Sequence, residues 1–181
     1  MDNRVSDELL SWIKSILIAL VVVFLCRKFL FVPSTVYGES MEPTFSSHDR
    51  IIIGKNSEIE RFDVIVLNAP NSDEQYIKRV IGLPGDKIEM KNDNLYINGK
   101  IYDEPYLKSM KAEHRTSKIT EDFTLKDLTG ETVVPKNSLF VLGDNRLVSR
   151  DSRRFGFISF DQVVGEVKFR FYPFDEIGKP N

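Results

Sequence analysis

The sequence predicts a mainly β domain of antiparallel strands behind one N-terminal transmembrane helix. Three observations predict it. A contiguous apolar run, Ile16 to Cys26, stands near the start. From Val36 onward the apolar residues fall instead into short β-branched runs broken by turn signals. Between two such runs lies Asn98-Gly99, the pair a two-residue type I′ hairpin prefers because both positions need positive φ. A chain of 181 residues has room for one compact domain and an anchor. The expected parts are a terminus over 1–14, an anchor over 15–32 and a β domain over 33–181, with a cap-like excursion at about 103–132.

The run from Ile16 to Cys26 is too short alone to cross about 30 Å of hydrocarbon. Its flanks lengthen it: Trp12 and Ile13 before, Phe29, Leu30, Phe31 and Val32 after, with Lys14, Arg27 and Lys28 able to snorkel toward headgroups. A cleavable secretory signal would also start basic and apolar, but it needs small residues after the core, where bulky Phe29, Leu30 and Phe31 stand. An uncleaved anchor is therefore expected. Charge does not orient it, because Arg4 and Lys14 on one side face Arg27 and Lys28 on the other.

In the β region, strands are expected at Arg50 to Ile53, Val64 to Leu67 and Tyr76 to Ile81, the last closed by a Leu83-Pro84-Gly85 turn. Leu95 to Ile97 and Lys100 to Tyr102 form the hairpin arms. Near the end, Val167, Phe169 and Phe171 alternate with Glu166, Lys168 and Arg170, which predicts one buried and one wet face before Pro173 ends the strand. The charged stretch from Asp103 to about Thr132 receives no chemistry.

Composition narrows the function. A net charge of -2 with no basic stripe argues against a nucleic-acid partner. The single cysteine, Cys26, rules out an intramolecular disulfide and a cysteine zinc site. No metal or cofactor is expected, and nothing in the sequence sets an oligomeric state.

Three clusters could carry chemistry. Ser40 lies in Gly38-Glu39-Ser40-Met41-Glu42-Pro43-Thr44, where glycine permits close backbone approach and proline stiffens the exit. Taken alone it reads as the start of a turn. As a nucleophile it would need a base. The two histidines, His48 and His114, sit in polar surroundings, which leaves Lys78. Alternation puts Lys78 on one strand face with Tyr76 and Val80; burial there can bring a lysine from about 10.4 toward the 7 to 8 that suits a general base. An edge-strand lysine in water is the competing reading. Arg79, on the opposite face with Ile77 and Ile81, needs solvent or a carboxylate, which Asp144 or Asp151 could supply. Both aspartates belong to the third cluster, Gly143 to Arg153, whose alternating charges either brace a site or form a solvated loop.

In combination the anchor, Ser40-Met41-Glu42-Pro43-Thr44, Arg61-Phe62-Asp63-Val64-Ile65-Val66, Lys78-Arg79-Val80-Ile81-Gly82-Leu83-Pro84-Gly85-Asp86 and Gly143 to Arg153 resemble, in that order, the type I signal peptidases in their compact Gram-positive form. The resemblance runs to about Phe174 and is weakest after Asp103. It implies a signal-peptidase-like β fold and a membrane-bound serine endopeptidase that cuts signal peptides from exported preproteins after small residues, through an acyl-enzyme. Its partners would be preproteins and the lipid membrane, with residues 1–14 cytoplasmic and the β domain outside. It further implies Ser40 as nucleophile, Lys78 as base and Ser149 hydrogen-bonded to the lysine. Asp144, Asp151, Arg79, Arg146 and Arg153 would support the site, with Asp144 paired to Arg79 or a nearby arginine and Arg153 to Asp151. Met41 would line the cleavage pocket. The substrate would add as a strand beside the residues before Ser40 and before Lys78, over shallow pockets near Val36, Ile51, Tyr76 and Ile77. Gly38 departs from members that place a serine there as an oxyanion donor. Gly38→Ser is expected to be tolerated unless Gly38 holds a positive φ.

Two other functions fit parts of the pattern. A catalytically silent relative could serve as an assembly scaffold, though Ser40 and Lys78 are both present. A self-cleaving Ser/Lys repressor-like protein would need a DNA-binding module where the anchor stands.

Overall fold

The structure, a computed structural model, describes the backbone of residues 2–29, 31–70 and 72–179, and within the first helix the side chains of 8–24. That helix, α1, spans Asp2–Phe29. All of its described side chains are exposed, Trp12, Leu17, Leu20 and Phe24 among them. Among the described residues no helix is long and apolar enough to cross a membrane. The expected anchor continues through 25–30, Cys26 included, and those side chains lie outside the described residues. Its last two expected residues, Phe31 and Val32, instead open the first strand, where they pair with Gly54 and Ile53.

The strands are β1 Phe31–Thr35, β2 Arg50–Gly54, β3 Val64–Asn68, β4 Gln75–Gly82, β5 Ile88–Lys91, β6 Asn94–Ile97, β7 Lys100–Tyr102, β8 Phe123–Thr124, β9 Ser138–Leu142, β10 Ile158–Ser159 and β11 Val163–Tyr172. They form two antiparallel sheets. The larger runs β1-β2-β11-β3-β4-β9-β10 and the smaller β7-β6-β5-β8. The mainly β, antiparallel expectation holds, and so does the hairpin: Asn98 and Gly99 have φ of 53° and 79° between β6 and β7.

The small sheet obeys simple alternation. Ile88, Met90, Leu95 and Ile97 point into a core that Ile81, Phe140 and Leu142 of the large sheet complete. The excursion contributes β8 to this sheet, followed by α3 at Leu125–Thr129, and before them α2 at Lys108–Glu113. Thr124 caps α3 reciprocally with Asp127, satisfying amides that would otherwise lack partners.

One expected pattern fails. On β11, Glu166 is buried whereas Phe169 is exposed. Register shifts explain it, because each bulge adds a residue and turns the following side chains over: one between Val163 and Gly165 precedes Glu166, and one between Val167 and Phe169 precedes Phe169. Val167 joins the core, and the buried Glu166 carboxylate pairs with Lys168.

Candidate active site

Residues 39–45 form the turn that carries Ser40. The Glu42 amide donates to Glu39 O at 3.2 Å and the Phe45 amide to Met41 O at 2.9 Å. Met41 and Phe45 are both fully buried, packed with Val36, Ile51, Ile53 and Val66. The turn is thus plugged into the core on either side of a half-buried serine. Met41, expected to line the cleavage pocket, is one of these plugs and does not line the groove described below. Gly38, just before the turn, has φ 82° with open space where a side chain would go. The room foreseen for a serine is present, but the left-handed backbone strains any side chain there, so the expected tolerance of Gly38→Ser is corrected.

Lys78 comes from β4, paired with Ile65 of β3. Its Nζ lies 2.8 Å from Ser40 Oγ and donates to Ile77 O at 2.8 Å. Lys78 is only 2% exposed, so the edge-strand reading does not describe it. Burial brings its pKa down to about 8; the negative charges of Asp151 and Asp144 oppose that fall and Arg153 adds to it. The ammonium nitrogen also sits 5.4 Å from the Tyr76 ring centre. His48 packs edge-on against Tyr37, and His114 Nδ1 lies 3.1 Å from Met110 O. Neither is within the hydrogen bonds that Ser40 and Lys78 make.

β9 delivers the third cluster. Asp144 is fully buried and receives Arg79 through Nε at 2.9 Å and Nη2 at 2.6 Å, with Thr44 Oγ1 donating at 2.6 Å. Arg79 is further held by Phe62 O at 2.9 Å and by the Tyr106 ring at 3.9 Å. Both members of the pair are therefore desolvated and multiply bonded, the condition under which a buried ion pair is tolerated. Asp151 takes Arg153 through Nε and Nη2, each at 2.8 Å, and the Gly143 amide at 3.0 Å. Burial alone would raise the Asp151 pKa, but these donors hold it below the usual carboxylate range.

Ser149 departs from expectation. The implied hydrogen bond to Lys78 is not formed: Ser149 Oγ is buried with no partner among the described residues. It is near enough to Asp151 to help keep that carboxylate ionised, yet without hydrogen-bond geometry.

Asn145, Gly143, Glu104 and Thr120, which had no expected role, complete the site together with Arg146, which had one. The Asn145 amide donates to Ser40 O at 3.1 Å, which docks the nucleophile's main chain on the loop after β9. Gly143 makes that docking possible, since a methyl there would overlap Ser149 Oγ, Ser149 Cβ and the Ser40 carbonyl. Arg146 is buried and bonded to Gly143 O at 3.1 Å, to Thr120 Oγ1 at 3.4 Å and to Glu104 in a salt bridge. Glu104 and Thr120 tie the excursion to the site, and charge patterning along the sequence carried no signal for that tie.

A groove of about 560 Å³ is walled by residues 34–38 on one side and 74–77 on the other, and these walls end two residues before Ser40 and one before Lys78. Val36, Gly38, Ile51, Tyr76 and Ile77 all line it. Both walls offer strand-like backbone, as a peptide added edge to edge requires.

Residues 9–172 match the family described as signal peptidase, peptidase S26. Signal peptidase IB of Staphylococcus aureus is 50% identical over 177 residues, which cover 93% of this chain and 92% of that one. Signal peptidase I of Bacillus caldolyticus is 51% identical over 163 residues, 88% of this chain and 89% of that one. The crystal structure of a signal peptidase I from Enterococcus faecalis V583 is 42% identical and superposes with a TM-score of 0.59, covering 61% of this chain and 97% of that one.

Proposed function

The chain belongs to the S26 family of signal peptidases, and from that premise we propose that Ser40 is its nucleophile and Lys78 its general base. It is a serine endopeptidase that cleaves signal peptides from preproteins. The observation that carries the residue assignment is the 2.8 Å separation of Ser40 Oγ from a buried lysine whose pKa lies at about 8. Neutral Lys78 takes the Ser40 proton as Oγ attacks the scissile carbonyl carbon. The lysine then gives that proton to the leaving amine, so the peptide C–N bond breaks and the signal peptide remains as an ester on Ser40. Water, deprotonated by the same nitrogen, hydrolyses the ester and restores Ser40. Negative charge on the tetrahedral oxygen is met by the Ser40 backbone N–H, since Gly38 offers no side-chain donor. Asp144 with Arg79 and Asp151 with Arg153 hold the Gly143–Ser149 loop against the nucleophile. Val36, Ile51, Tyr76 and Ile77 leave shallow hollows that admit small side chains before the cut.

The apolar, wholly exposed face of α1 supports a membrane anchor, because lipid would cover side chains that water would not. On this reading residues 1–14 are cytoplasmic and the β domain is outside. Protease added to cells stripped of wall should digest the β domain and spare residues 1–14; the reverse pattern contradicts the orientation.

The direct assay incubates the detergent-solubilised chain with a secretory precursor and sequences the new N-terminus. Cleavage after a small residue, lost in Ser40→Ala, is expected. Folded protein that leaves the precursor intact would favour the scaffold reading.

A further inference from the structure

A second groove, of about 520 Å³, is lined by Glu42 and Pro43, which follow Ser40 in the chain, and by Asn145, Leu147 and Val148 of the loop that docks it. The two share no wall residue: residues 34–38, before Ser40, wall the first, whereas Glu42, two residues after it, begins the second. Asn145, whose amide holds the Ser40 carbonyl, is part of the second wall, so this groove starts at the nucleophile's own main chain. Its apolar surface comes from Leu147 and Val148, both exposed, and from Met110 of α2. Its ionisable lining is Glu42, Glu113 and His114, and no lysine or arginine lines it among the described residues.

An endopeptidase holds polypeptide on both sides of the bond it cuts. Residues before the cut have the first groove; those after it need a path leading away from Ser40. The geometry points to the second groove as the binding site for the first residues of the mature chain, with the carboxylates of Glu42 and Glu113 favouring a basic side chain at the second to fourth of them. This rests on Ser40 being the nucleophile. The apolar wall formed by Leu147, Val148 and Met110 accepts the aliphatic stem of a lysine or arginine while its charged end reaches the carboxylates. Because both carboxylates border solvent, the preference is modest and falls with added salt. The excursion, through α2, thereby acts in substrate selection.

The test uses the full chain in detergent and two precursors that differ only at the third mature residue, lysine in one and aspartate in the other. The wild-type kcat/KM ratio should favour lysine about fivefold at low salt, the size expected for a partly exposed charge contact. In Glu113→Lys the ratio should fall to one or below; because it is taken within each enzyme, any general loss of activity cancels. A photoreactive residue at the same substrate position, presented to Ser40→Ala protein, should attach to Met110, Leu147 or Val148. A wild-type ratio of one, an unchanged ratio in Glu113→Lys, or attachment elsewhere overturns the assignment of the groove. Wild-type protein that cuts neither precursor instead overturns the peptidase reading, and the groove assignment with it.

Discussion

The two sheets use the same strand chemistry to opposite ends. In the small sheet, β5 and β6 alternate faithfully, with Ile88, Met90, Leu95 and Ile97 inside and Glu89 and Tyr96 facing outward between them. In the large sheet, β4 buries Lys78 and Arg79 in succession, so alternation no longer separates wet from dry. What distinguishes the two buried cations is their company. Arg79 meets a carboxylate with two of its nitrogens, whereas Lys78 hydrogen-bonds only a hydroxyl and a carbonyl among the described residues. A cation given a carboxylate stays charged and structural; one denied it becomes able to lose its proton. The small sheet supplies only packing, apart from the excursion attached to it.

The contrast is broken most sharply at Lys78. Lys78→Arg keeps the charge and removes the basicity, so turnover should fall by about a thousandfold or more while precursor still binds, as a single-turnover assay with a binding control would read. An arginine enzyme of sizeable activity would reduce Lys78 to an electrostatic role. The structural half of the contrast predicts a different loss. Asp144→Ala leaves Arg79 buried without its carboxylate and should cost about 3–5 kcal/mol in denaturant unfolding. Gly143→Ala should pass between these two behaviours: the added methyl pushes Ser149 and the Ser40 carbonyl apart, and kcat should drop about a hundredfold with the fold retained by circular dichroism. In the small sheet's surroundings the effects shrink. The Lys118–Asp122 pair is half exposed, and Lys118→Ala should leave the denaturant midpoint almost unchanged.

Each sheet was legible in part. Asn98-Gly99 announced the β6–β7 hairpin of the small sheet, whereas the short β5 and β8 were not foreseen; β-branched runs located β2, β3 and β4 in the large sheet. Strand β11 was misread, since a bulge inverts alternation without leaving a compositional trace at Val167 to Phe169. The dyad residues stood out through motif resemblance, whereas Lys78 alone looked like a solvated edge lysine; its burial depends on β3 and β9 closing over it, which no local window records. Gly143, Asn145, Thr44, Glu104 and Thr120 went unassigned for the same reason. Their roles are contacts across as many as a hundred residues, as between Thr44 and Asp144. Met41 illustrates the converse: the family resemblance implied a place in the cleavage pocket, whereas Met41 is fully buried in a cluster with Val36, Phe45 and Ile51 and does not line the groove.

The central claim is that a lysine, and no imidazole, takes the Ser40 proton. It is tested most directly by the pH dependence of kcat/KM for the His48→Ala, His114→Ala double variant. Lys78 is charged below its pKa and neutral above it, so activity should rise with pH through a single limb at about 8 and that limb should survive loss of both histidines. A limb in the wild type near 6.5, the ordinary imidazole range, that disappears in the double variant, or a folded double variant with no activity, would contradict the account.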